Sequence, residues 1–320
     1  MSRRTAPVGE LVERAREGES RAVARLISLV EDASPRLREV MTALTPHAGR
    51  AMVVGITGSP GVGKSTTTSA LVSVFRDQGR RVGVLAVDPS SPFSGGALLG
   101  DRIRMQEHAT DPGVYIRSMA TRGHLGGLSW ATPQAVRVLD AAGCDIVLVE
   151  TVGVGQSEVE VAALADTTVV LLAPGLGDGI QAAKAGILEV GDVFVVNKAD
   201  RDGADQVVRD LRGTVRMVER APGDWREPIV RTVAYRGEGI TEVVEAIDKH
   251  RAWSEGSGEL DRRRLRRVRD EIEAIALTDV RQRFGGLHGD SRLDSLAQRV
   301  LAGALDPYSA ADEIIATTHS

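Results

Sequence analysis

Eight consecutive residues, Gly58-Ser59-Pro60-Gly61-Val62-Gly63-Lys64-Ser65, match the pattern GxxxxGK[ST] at every fixed position, and Thr66 follows them. Such a loop can turn successive backbone N–H groups onto the oxygens of a phosphate chain, with a helix dipole adding positive potential behind them. Glycine permits both the tight turn and the close approach. Lys64 would neutralise the β- and γ-phosphates, and the Ser65 hydroxyl would ligate Mg²⁺. Residues Gly58, Ser59, Pro60, Gly61, Val62, Gly63, Lys64, Ser65 and Thr66 are therefore candidate nucleotide contacts. The blander reading is an ordinary glycine-rich turn. Its flanks oppose that reading, because an apolar strand-like run (51–57) precedes the loop and an amphipathic helical pattern (66–75) follows it.

A second motif, Asn197-Lys198-Ala199-Asp200, closes a later strand-like run. A carboxylate there can accept from the guanine N1–H and exocyclic N2–H₂ together, a donor pair that adenine lacks. Asp200 is the candidate base reader, with Asn197 holding the loop and the Lys198 stem covering the base. The alternative is a helix-capping aspartate. Val233 and Ala234, at the end of a further strand, are the candidate base-specificity loop.

Acidic residues supply the remaining chemistry. Glu150 ends a strand just before Thr151-Val152-Gly153, the place where GTPases carry Asp-x-x-Gly. Glutamate is one methylene longer than aspartate, which favours contact with Mg²⁺ through water, and Gly153 would meet the γ-phosphate. A strand-end glutamate capping the next helix is the alternative. Val154 occupies the position at which Ras-like enzymes place a water-orienting glutamine, so hydrolysis should be slow. Asp88, ending the second strand, and Asp101, in the long Pro/Ser/Gly connection after it, are candidate Mg²⁺-water ligands or bases; both also suit turns and caps. The candidate catalytic set is thus Lys64, Asp88, Asp101, Glu150 and Gly153, and the candidate metal set Ser65, Asp88 and Glu150.

These groups need a frame that brings strand ends together. Near-continuous apolar runs at 52–57, 82–87, 114–118, 145–150, 168–172, 193–197 and 229–233 alternate with helical patterns, which predicts a mostly parallel sheet covered on both faces. The fold class expected is α/β, a P-loop GTPase with helical extensions at both ends. We expect an N-terminal helical arm over 1–48, a nucleotide-binding domain over 49–255 and a C-terminal helical dimerisation arm over 256–320. Ser254-Glu255-Gly256-Ser257-Gly258-Glu259 reads as a linker by composition, followed by a long helix over 260–284 with Leu265, Val268, Ile272 and Ile275 on one stripe, then shorter helices at 292–304 and 308–317.

Composition narrows the classes of function. The net charge is −4 and aromatics make up 3% of the chain, so neither a basic field nor a stacking platform points to nucleic acid or a membrane. The single cysteine, Cys144, excludes an internal disulfide and fits a reducing compartment; no run spans a bilayer, and the expected location is the cytoplasm.

The blocks GSPGVGKST, AVDPSSPFSGGALLGDRIRM, ETVGVGQSEVEV and NKAD, in this order, resemble the MeaB/methylmalonic-aciduria type A family, formerly labelled ArgK. The second block is far more specific than the phosphate loop. The resemblance implies a homodimeric GTPase using GTP/GDP and Mg²⁺, a chaperone of adenosylcobalamin-dependent methylmalonyl-CoA mutase that gates cofactor loading and protects the mutase. It also implies that Asp88 and Glu150 surround Mg²⁺ and the catalytic water, that Asp101 and Gly153 belong to the first and second switches, and that residues 173–184 form a third. Gly179-Ile180 departs from the acidic-apolar pair expected there. Two enzyme alternatives stay open. A nickel metallochaperone would need clustered ligands, against one cysteine and six scattered histidines; an ATP-dependent transport-protein kinase would need adenine, which NKAD opposes. A non-enzymatic tether through Arg262, Arg263, Arg264, Arg266, Arg267 and Arg269 competes with a solvated helix face carrying Asp270, Glu271 and Glu273.

Overall fold

The computed structural model describes residues 6–88, 106–120, 131–151, 157–175, 188–217, 220–283 and 291–318. Three helices open the chain: α1 (Val8–Arg16), α2 (Ser20–Glu31) and α3 (Leu37–Leu44). Seven strands follow, β1 (Met52–Thr57), β2 (Val82–Asp88), β3 (Val114–Ala120), β4 (Ile146–Thr151), β5 (Thr167–Leu172), β6 (Val193–Val196) and β7 (Ile229–Arg231). They form one sheet in the order β3-β2-β4-β1-β5-β6-β7, with every pair parallel. β1, β4, β5 and β6 are buried at every position, as a sheet covered on both faces demands.

One face packs α4 (Lys64–Asp77) and α8 (Ile240–Gly256) through Leu71, Val72, Phe75, Val243 and Ile247 onto Met52, Val54 and Ile56. The other face carries α5 (Thr132–Ala141), α6 (Ser157–Leu164) and the N-terminal helices in one continuous core that includes Val12, Leu26, Val40, Leu85, Val138 and Val147. α6 approaches so closely that a Cβ on Gly55 would meet Val161 at 2.9 Å. α7 (Ala204–Val215) covers β5 and β6 through Val207, Val208 and Leu211.

The Asp140 carboxylate, at the end of α5, accepts the backbone N–H groups of Gly49, Arg50 and Ala51 and so fixes the start of β1. Tyr115 of β3 donates its hydroxyl to the Gly18 carbonyl at 3.1 Å, and Arg117 donates to Glu31 and Ser28. The stretch 254–259, expected as a linker, is mostly helix. α8 continues to Gly256 because Ser254 faces inward, 1% exposed, and its hydroxyl satisfies the Arg251 carbonyl. Only Ser257 and Gly258 separate it from α9 (Glu259–Arg283). The residues from Arg262 onward, comprising most of α9 with α10 (Ser291–Leu301) and α11 (Pro307–Thr318), form a second compact unit. In it Leu265, Val268, Ile272 and Ile275 are exposed along α9.

Candidate functional site

In this strand order the chain leaves β1 for β2 and β3 on one side, returns through β4, then crosses to β5, β6 and β7 on the other. Connections diverge above the C-terminal end of β1, and open parallel sheets bind ligands at that kind of divergence. The phosphate loop stands there. Gly58, Gly61 and Gly63 have φ of 140°, 81° and 100°, all values that side chains resist, which is why glycine occupies them. Gly58 also lies so close to Leu171 of β5 that a Cβ would overlap its carbonyl oxygen. The Lys64 ammonium, nearly buried, donates to the carbonyls of Gly58 at 2.8 Å and Ser59 at 3.2 Å, which bridges the loop. α4 begins at Lys64 with no side-chain cap, so its positive N-terminal end lies at this loop. Ser59 is partly exposed; Pro60, Gly61 and Thr66 are exposed, and Val62 is buried in the core beneath.

Glu150, 4% exposed, lies beside the loop because β4 neighbours β1, with Glu150 in register with Ile56. Ser65 donates its hydroxyl to Glu150 Oε1 at 2.7 Å, and Thr68 donates to Oε2 at 2.8 Å. The structure thus brings two members of the expected metal set together. A hydroxyl and a carboxylate are the hard oxygen donors that Mg²⁺ takes, so the donor chemistry fits that ion. Asp88 is the last residue of β2, beside the end of β4. Asp101, Gly153, Val154 and 176–187 lie outside the described residues. Thr68 escaped sequence reasoning: one helical turn past Lys64 it has the spacing to share a face with it, but nothing in the spacing says that Glu150 comes to meet it.

The second motif is joined to the first by Asn197, 3% exposed. Its Nδ2 donates to the Val62 carbonyl at 2.8 Å, and its Oδ1 accepts from the Thr232 hydroxyl and the Ala234 N–H, each at 3.1 Å. One side chain therefore ties the phosphate loop, the end of β6 and the loop after β7. Lys198 adopts φ 57° and donates Nζ to the Gly61 carbonyl at 2.6 Å. Asp200 is exposed, and Oδ2 accepts the Tyr235 hydroxyl at 3.3 Å. Val233 pairs with Glu238 to close the short loop that holds Ala234 and Tyr235.

A parallel sheet with a GK[ST] loop after β1, an acid at the end of β4 and NKxD after β6 defines a guanine-nucleotide-binding P-loop GTPase. The model of the family described as methylmalonyl-CoA mutase-associated GTPase MeaB matches residues 23–287, and the chain belongs to that family. A putative GTPase of Pyrococcus abyssi is 49% identical over 311 residues, covering 96% of each chain. A mouse protein named methylmalonic aciduria type A homolog, mitochondrial, is 36% identical over 318 residues, covering 93% of this chain and 76% of its own. A crystal structure described as a LAO/AO transport system kinase superposes with a TM-score of 0.73 at 26% identity, covering 98% of both chains. Among the described residues no group of three or more His, Cys, Asp or Glu is arranged to hold a metal, and no helix is long and apolar enough to cross a membrane.

Proposed function

We propose that this chain binds and slowly hydrolyses GTP as a chaperone of an adenosylcobalamin-dependent methylmalonyl-CoA mutase, or a related acyl-CoA mutase, gating its cofactor loading and protecting it. The observation that carries the nucleotide half is the Asn197 bridge: it positions the base motif against the phosphate loop, so one ligand can occupy both. Lys64 and the N-terminal end of α4 hold the phosphates. Ser65, Glu150 and Asp88 are the residues that would hold Mg²⁺, whose chemistry is to neutralise charge developing on the phosphoryl oxygens. The valine at 154 carries no hydrogen-bonding group to position an attacking water, which keeps turnover low without the mutase.

The mutase half rests on the family's description and on the mouse relative's name. Gly58 lies against Leu171 of β5, and that proximity supports residues 173–184, which follow β5 in sequence, as the candidate coupling segment. The exposed stripe on α9 supports a homodimer through the C-terminal unit. The test is competitive titration of GTP, ATP and xanthosine triphosphate, with co-purification of candidate mutases in the GTP and GDP states. Asp200→Asn should weaken GTP and improve xanthosine triphosphate binding. Equal displacement by ATP in the parent protein would overturn the guanine assignment, and mutase binding indifferent to nucleotide would overturn the chaperone assignment.

A further inference from the structure

The tip of the loop after β7 reaches a residue that guanine recognition depends on. Tyr235 is 63% exposed, yet its ring is held: the Arg236 guanidinium stacks over it at 5.0 Å, and the hydroxyl donates to Asp200 Oδ2 at 3.3 Å. The backbone fixes where the ring starts. Ala234 N–H is bound to Asn197 Oδ1, Arg236 N–H returns to the Val233 carbonyl at 2.8 Å, and Gly237 turns the chain at φ 75°. Tyr235 therefore leaves a turn that is itself locked to the base motif.

An exposed aspartate has little to hold its carboxylate plane, since rotation about its last torsion is broad. Reading guanine needs that plane set, because one oxygen must meet N1–H and the other N2–H₂ together. A hydroxyl donating to Oδ2 restrains the rotation, and it does not block the base: each carboxylate oxygen has two acceptor sites, so Oδ2 can take the phenol and a guanine N–H together. We infer that Tyr235 is a positioning residue for base specificity, holding the Asp200 carboxylate in the orientation that accepts both guanine donors. The inference rests on the guanine reading of Asp200. It assigns Tyr235 a function through Asp200, with no contact to the nucleotide required.

Inosine tests it, because hypoxanthine keeps N1–H and lacks the exocyclic amine, so only guanine gains from two aligned oxygens. Dissociation constants of GDP, IDP and XDP would be measured by calorimetry on the full chain for the parent, Tyr235→Phe and Asp200→Asn. A hydrogen bond of this length at an exposed site suggests a loss of about two- to fivefold in GDP affinity for Tyr235→Phe. IDP should lose less, so the ratio of IDP to GDP dissociation constants contracts by about twofold. An unchanged ratio overturns the inference, whether GDP and IDP are both unaffected or both weakened by the same factor, since the latter is general damage to the loop. Asp200→Asn separates this from the underlying reading. If it shifts preference from GDP to XDP while Tyr235→Phe leaves the ratio intact, only the role of Tyr235 fails; if it shifts nothing, the guanine reading fails and this inference with it.

Discussion

Gly63 is the position where the two nucleotide motifs can be forced against each other. Alanine there meets two separate costs. At φ 100° an L-residue is strained, by about 1–2 kcal/mol for left-handed backbone. Its Cβ would also overlap Asn197 Nδ2, which sits within the loop's curve to reach the Val62 carbonyl. Moving Asn197 away leaves a buried carbonyl and a buried amide short of a partner, for about 1–3 kcal/mol. Gly63→Ala should therefore lower stability by about 2–5 kcal/mol and weaken GDP. The second share disappears if Asn197 is already alanine, so in that background Gly63→Ala should cost only its backbone share. The coupling expected is about 1–3 kcal/mol, inside the range for contacting residues. Urea unfolding followed by the fluorescence of Trp225 and Trp253, both packed near His250 at the edge of α8, gives the four stabilities. Equal costs in the two backgrounds would refute the steric argument and leave backbone strain as the whole effect.

Thr68→Val keeps the shape but removes the donor to buried Glu150, so it should cost about 1.5–3 kcal/mol; at about 2–4 °C per kcal/mol for a domain this size, a calorimetric Tm within about 1 °C of the parent would exclude that role. Asp111 is held below the ordinary carboxylate range by hydrogen bonds from Arg76 and then from the Gly113 N–H. A depressed carboxylate stabilises the fold above its unfolded value of about 3.9 and loses that contribution as pH falls through the folded value. Asp111→Asn should consequently be less stable at neutral pH and show a flatter acid limb below about pH 4, and parallel limbs for the two proteins would contradict it. Burial pushes the Cys144 thiol up to about 12, so at pH 8 a thiol reagent should label the native protein only as fast as it opens; full labelling within minutes in native buffer would show that the turn leading into β4 opens readily.

Local chemistry was legible in the sequence. All seven strands stand within two residues of where apolar runs placed them; for the central strands this is because strands buried on both faces must be apolar throughout. The strand order was not legible, since it depends on which crossovers pack; the motifs placed Ser65 and Glu150 at one site, but not the direct hydrogen bond between them. Thr68 and Tyr235 were missed for a related reason. Neither belongs to a motif, and each earns its place from a partner far along the chain, 82 residues away for Thr68 and 35 for Tyr235. The stretch 254–259 misled in the opposite direction: its small polar residues suit a linker, but the inward face of α8 accepts Ser254 as readily as an alanine.

The N-terminal helices bond to partners that do not yet exist when those helices are made. Gly18 waits for Tyr115, 97 residues downstream, and Glu31 for Arg117, 86 downstream. At about 5–20 residues per second, a ribosome takes roughly 4–20 s to supply them. For that interval Val12, Leu26 and Val40 can pack on one another and on earlier-made core residues such as Val53 and Leu85, but without those two bonds, and helices of this length are marginal alone. The start of the chain is therefore incompletely tied down during synthesis, and a slow stretch of codons before residue 115 would prolong that state.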